Sequence, residues 1–251
     1  MRGERTGRDS TTGLHPDSDQ QALGMLFESI GLRDHQRASQ LLAESPQLAR
    51  ATLTGGANRS NASAFFLRQV SHYLYAGDTA LHVASAAYQR DFAVELVRRH
   101  ASVRAKNRRG AEPLHYAADG APGGPLWDPD AQYAIIEYLV GAGADPDSAD
   151  KSGVSPLHRA VRTRSTAAVQ ALIRNGADVV RRNGTGSTPL HLAVQDTGRG
   201  GSGSAMARRE QGKIIRLLLD NGASLTDTDR AGKTVKECVR SKSVRALISG
   251  F

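Results

Sequence analysis

Ser155-Pro-Leu-His-Arg-Ala160 has three close copies in the chain: Thr79-Ala-Leu-His-Val-Ala84, Glu112-Pro-Leu-His-Tyr-Ala117 and Thr188-Pro-Leu-His-Leu-Ala193. In each copy His follows Leu, and the histidines fall at 82, 115, 158 and 191, in steps of 33, 43 and 33 residues. A recurrence of this length marks stacked supersecondary units, because one such unit is too small to bury its own apolar face.

A second string follows each phrase: Leu96-Val-Arg-Arg-His-Ala-Ser102, Tyr138-Leu-Val-Gly-Ala-Gly-Ala-Asp145, Ala171-Leu-Ile-Arg-Asn-Gly-Ala-Asp178 and Leu217-Leu-Leu-Asp-Asn-Gly-Ala-Ser224. Gly or Asn-Gly after an apolar run supplies the left-handed residue that ends a helix without a Cβ clash. Between units lie Asn107-Arg-Arg-Gly110, Asp150-Lys-Ser-Gly153, Asn183-Gly-Thr-Gly186 and Asp229-Arg-Ala-Gly232, whose Asx and Gly chemistry favours tight turns. Each unit therefore reads as turn, short helix, loop, longer helix.

These residues resemble the ankyrin-repeat family, whose Thr-Pro-Leu-His phrase recurs at a 33-residue period. The resemblance implies an all-α ankyrin-repeat solenoid of stacked helix-turn-helix units with finger-like turns. It implies that Thr or Ser before Pro caps the short helix and that His82, His115, His158 and His191 are structural, tying neighbouring turns together by hydrogen bonds. It also implies recognition by the turn tips and the exposed face of the inner helices. The resemblance is strong from about residue 75 to 251 and weak over 20–53, where two amphipathic helices without the phrase read as an N-terminal cap. The expected organisation is a disordered segment at 1–18, a capping repeat at 19–53, an insertion at 54–76 and repeats over 77–251. The repeat limits are about 75–107, 108–150, 151–183, 184–229 and 230–251. In the last repeat Lys236 and Glu237 replace Leu-His, as a polar outer cap requires.

Composition agrees with short, closely packed helices: 39% of the 251 residues are hydrophobic and only 5% aromatic. One cysteine, Cys238, supports neither an internal disulfide nor a thiolate metal site. No apolar run reaches the roughly 18 residues of a membrane span, and the polar N-terminus has no secretory apolar core, so a cytoplasmic location away from membranes is expected. The formal charge of +8 favours acidic partners by long-range attraction, although a merely solvated basic surface is the commoner reading.

Three departures from the repeat mark where individuality lies. Residues 54–76 collect Phe65, Phe66, Tyr73 and Tyr75. They read either as a recognition patch or, preferably, as apolar filler sealing cap to first repeat. The 43-residue step contains a loop at 119–130 holding Trp127, the only tryptophan, which reads equally as an interface anchor or as a plug. The next lengthening, at 196–210, is rich in Gly and Ser and reads as flexible. Flanking an unlengthened repeat, the two loops are expected about 20 Å apart on one edge, placed to embrace a partner segment.

Catalytic and cofactor readings fail on spacing. Histidines one per repeat, about 10 Å apart, exceed metal coordination at about 2 Å. Gly232-Lys-Thr234 lacks the preceding strand and the Gly of a phosphate loop, where Asp227 stands. The run from Gly198 to Gly203 lacks the strand of a dinucleotide site. No cofactor, metal or enzymatic activity is expected.

The candidate partner-binding residues are Arg108, Arg109, Lys151 and Arg230 at the tips, Tyr116, Arg159 and Arg162 on the inner helices, and Trp127 in the loop. Arginine pairs bidentately with carboxylates and stacks, so the first expectation is an acidic, partly apolar protein or peptide. Nucleic acid comes second, on the basic run Arg104–Arg109, which lacks interleaved aromatics for base stacking. Assembly with a further copy or another protein is third.

Overall fold

The computed structural model describes residues 16–124, 127–196 and 203–250. Helix α1 (Pro16–Gly31) and α2 (His35–Glu44) form the first pair. Because α1 begins at Pro16, the polar segment expected up to residue 18 gives its last three positions to the helix, and residues 1–15 lie outside the described part. Four further pairs follow: α3 (Ala80–Ala86) with α4 (Arg90–Arg98), α5 (Pro113–Ala118) with α6 (Pro129–Gly141), α7 (Pro156–Arg162) with α8 (Thr166–Arg174), and α9 (Pro189–Ala193) with α10 (Ala205–Asp220). Short α11 (Val235–Cys238) and α12 (Lys242–Ile248) complete the stack. The inner row α1–α3–α5–α7–α9–α11 and the outer row α4–α6–α8–α10 pack along one axis.

The repeated phrase explains this architecture atom by atom. Pro at the first helical position costs no hydrogen bond, since that N–H has no partner inside the helix. The Leu and Ala that follow are fully buried: Leu81, Leu114, Leu157 and Leu190 form one continuous core with Leu96, Leu139, Leu172 and Leu218 of the outer row. Each histidine accepts at Nδ1 from the backbone N–H of its cap residue, at 3.1 Å for Thr79, 3.1 Å for Glu112, 3.3 Å for Ser155 and 3.2 Å for Thr188. That fixes the proton on Nε2, which donates to a carbonyl of the next turn: Ala111, Val154, Ser187 and Lys233.

A second set of forward tethers sits at the other end of the inner helices. Arg33, Tyr88 and Arg164 each take a left-handed backbone between inner and outer helix. Each reaches the last carbonyls of the next inner helix or of its exit: Arg33 to Ala87 at 3.0 Å, Tyr88 to Asp119 at 2.5 Å, and Arg164 to Leu192, Ala193 and Gln195. The cation of Arg164 thus stands at the negative end of α9, and burial without an acidic partner lowers its pKa to about 10.

The insertions are built differently from the sequence expectation. Residues 54–76 fold into short 3-10 turns and a two-stranded hairpin, β1 (Phe66–Leu67) with β2 (His72–Tyr73). The apolar seal against the first pair is made by buried Leu67 with Val70 and Leu74, whereas Phe66 and Tyr73 are 38% and 42% exposed. The later lengthening enters α10 at Ala205, so its second half is helix rather than loop; residues 197–202 lie outside the described part. The two lengthened repeats also meet. A Cβ on Gly123 would stand 4.0 Å from Met206 Cβ, against the expected separation of about 20 Å. The unlengthened repeat between them is short enough for loop and helix to close across it.

Candidate functional site: the turn tips, the strap and the inner-helix face

The turn tips are joined finger to finger by backbone hydrogen bonds. Arg108 N–H donates to Ala76, Lys151 to Arg109, Gly184 to Ser152 and Arg230 to Thr185, at 2.6, 2.9, 2.8 and 3.2 Å. Arg108, Arg109, Lys151 and Arg230 are therefore fixed in backbone while their side chains are exposed, and Arg162 is exposed on α7. None of these five forms an ion pair among the described residues.

Two of the expected groove residues are interior. Tyr116 is 1% exposed because the hairpin lies over it as a strap, with His72 stacked on its ring at 4.1 Å. The Tyr116 hydroxyl donates to the buried carboxylate of Asp78, which also accepts from Asn107 Nδ2 at 2.9 Å and from the Tyr75 N–H at 2.7 Å. Arg159 is 8% exposed and held between Asp119 at 3.0 Å and Asp150 at 3.4 Å. Neither side chain is presented to a partner; both support the strap. His72 Nε2 lies 3.2 Å from the Asp119 carboxylate. Burial pushes the Asp119 carboxyl up, but its hydrogen bond with His72 and the charges of Arg159, His72 and Arg162 outweigh that and hold it below the usual range.

Trp127 is half-buried. Its indole N–H donates to Gln132 Oε1 at 2.9 Å, and the ring packs against the core. Its other side lines a cavity of about 420 Å³ with Tyr88, Val70, Asp119 and Leu32, the last 65% exposed at the rim. Gln132 is the residue that sequence reasoning missed. Fully buried, it also donates to the carbonyls of Ala117 and Asp119 and accepts from Ser165 Oγ at 2.6 Å, so it anchors the base of the loop. Gln211 repeats this in the other lengthened unit, donating to Ala193 and Gln195.

A second hollow, of about 380 Å³, lies where the strap meets the tips, between Arg59, Tyr73, Tyr75, Arg108 and Arg109. Among the described residues no cluster of His, Cys, Asp or Glu is arranged to hold a metal ion, and no helix is long and apolar enough to cross a membrane.

Residues 130–229 match the family model for ankyrin repeats in three copies. That segment is an ankyrin-repeat domain, and the α3–α4 pair before it carries the same histidine tether. Ankyrin repeats are in general protein–protein interaction modules. No curated protein matches the chain.

Proposed function

We propose that the protein is a non-catalytic scaffold that binds an acidic segment of a partner protein along its turn tips and the open part of the inner-helix face. The observation that carries this reading is the row of exposed cations without ion-pair partners among the described residues, Arg108, Arg109, Lys151 and Arg230 on a rigid backbone ladder and Arg162 on α7. Guanidinium and ammonium groups left without carboxylates keep a long-range field that steers an acidic partner and lose little desolvation energy when paired at a rim. The cavity beside Trp127 offers such a partner one apolar anchor point.

A second reading, binding of single-stranded nucleic acid, draws on the exposed aromatic pair Phe66 and Tyr73 next to Arg59 and Arg109. The test is capture from an extract of the source cells at low and at about 300 mM salt. It is run in parallel with and without nuclease treatment, with Lys151→Glu/Arg162→Glu/Arg230→Glu as control. A protein retained by the native chain and lost by the variant supports the first reading. Retention of nucleic acid alone, collapsing steeply with salt, overturns it.

A further inference from the structure

Arg59, Arg108 and Arg109 surround one hollow that no carboxylate lines. Two of the guanidiniums are already positioned. Arg109 stands 5.1 Å over the Tyr75 ring and donates to its hydroxyl at 3.1 Å, while Arg108 stands 5.9 Å from the same ring and donates to the Ala57 carbonyl. Each guanidinium carries five N–H donors, and these contacts use one apiece. Arg59 makes no hydrogen bond or ion pair among the described residues and is exposed at the rim. Beside the hollow, Phe66 and Tyr73 pack at 4.9 Å and leave apolar faces in solvent.

From this arrangement we infer that the hollow between the strap and the first basic tip is an oxyanion pocket for an acidic side chain of a protein partner, with the Phe66–Tyr73 pair receiving an apolar neighbour of that side chain. Three guanidiniums without a counter-charge create a strongly positive site. Orientation by Tyr75 removes much of the rotamer entropy that an exposed arginine otherwise loses on pairing. Arginine with tyrosine is also the composition that concentrates binding energy in interfaces. Two guanidiniums crowd the Tyr75 ring, and with Arg59 they offer convergent donors to an oxyanion rather than a flat platform for a base, so an acidic peptide fits better than a nucleic acid. The inference rests on the proposed binding of an acidic protein segment and adds where its principal anchor lies.

The test is fluorescence anisotropy on the full chain with four labelled probes. They are a Gly/Ser peptide with Glu-Glu-Phe at its centre, its Gln-Gln-Phe counterpart, the same peptide with phosphoserine before Phe, and a short oligo-dT strand. The acidic peptides are expected to bind and the Gln peptide not. Arg59→Gln/Arg109→Gln is expected to weaken them at least tenfold, and Lys151→Gln/Arg230→Gln less than threefold. Tighter binding of the phosphoserine peptide would support a phosphoryl group as the natural occupant, and equal binding a carboxylate. Equal weakening by both double variants overturns the pocket while leaving the broader reading standing. Failure of every acidic peptide, with the oligonucleotide bound, overturns the pocket and counts against both.

Discussion

His72 lies flat on Tyr116, with ring centroids 4.1 Å apart and planes inclined by 17°. Through this contact the strap covers an inner-helix position that a regular repeat leaves open, and the same imidazole holds Asp119. His72→Ala removes the stack and the carboxylate contact together. The hairpin amides, among them Leu74 bonded to Phe65 and Ala57 bonded to Leu74, should then exchange about tenfold faster, a loss of roughly 1.4 kcal/mol local to the strap. Amides of α7 and α8 should keep their protection. Hydrogen exchange measures both, and unchanged hairpin rates would show that Leu67 and Val70 alone hold the strap.

The tethering histidines make stability depend on pH in a definite direction. Burial lowers the pKa of His82, His115 and His158, that of His115 to about 4, and each accepts a hydrogen bond at Nδ1 that protonation abolishes. The unfolded chain takes up these protons near pH 6.5, so the stabilisation is complete above that value and is lost as pH falls from about 6.5 to about 4. His115 alone accounts for a loss on the order of 3 kcal/mol. Urea denaturation across this window should show the decline beginning well above the carboxylate range. His115→Gln, which keeps the cap but loses the titration, should flatten part of it.

Gln132 and Trp127 form one unit, and the single indole reports on it. Gln132→Leu leaves the carbonyls of Ala117 and Asp119, the Trp127 N–H and Ser165 Oγ without that partner, costing about 1–3 kcal/mol. Trp127 emission should shift to the red at temperatures below global unfolding, as the loop leaves the core first. Coincident transitions by fluorescence and circular dichroism would mean that the loop has no independent opening.

Glycines with the same backbone sign differ in what surrounds them. At Gly153, φ is 72° and a Cβ would sit 2.6 Å from the Gly184 backbone nitrogen, whereas at Gly222, φ is 99° and nothing lies within 4 Å. Gly222→Ala should cost only the left-handed penalty of about 1–2 kcal/mol. Gly153→Ala must in addition push two turn tips apart, so its loss of stability should be clearly the larger by denaturant titration. Similar losses would mean that the tips yield without cost.

The stack, its core and the role of the four histidines were legible because each is carried by a phrase repeated at fixed offset. The covered state of Tyr116 and Arg159 was not, because Tyr116 depends on where 54–76 goes and Arg159 on its pairing with Asp119, contacts between residues 40 or more apart with no periodicity to betray them. The aromatic insertion was misread in part: Leu67 seals the joint while Phe66 and Tyr73 remain outside. One signal was present and overlooked. Gln132-Tyr-Ala-Ile-Ile-Glu-Tyr-Leu139 and Gln211-Gly-Lys-Ile-Ile-Arg-Leu-Leu218 share Gln-x-x-Ile-Ile-x-x-Leu, in the two lengthened repeats. A buried amide that closes an insertion was therefore written twice.

A stack of repeats is ordinarily a one-dimensional system, in which each unit senses only its neighbours and the ends peel away step by step. The approach of Gly123 to Met206 joins units that are not neighbours, and the strap reaches across from the first joint to Asp119, which in turn holds Arg159. The α5–α6 and α9–α10 units thus approach each other at one point past the α7–α8 unit. Apart from local opening of the strap and of the Trp127 loop, the middle of the molecule should consequently unfold more cooperatively than a stack held by nearest neighbours alone.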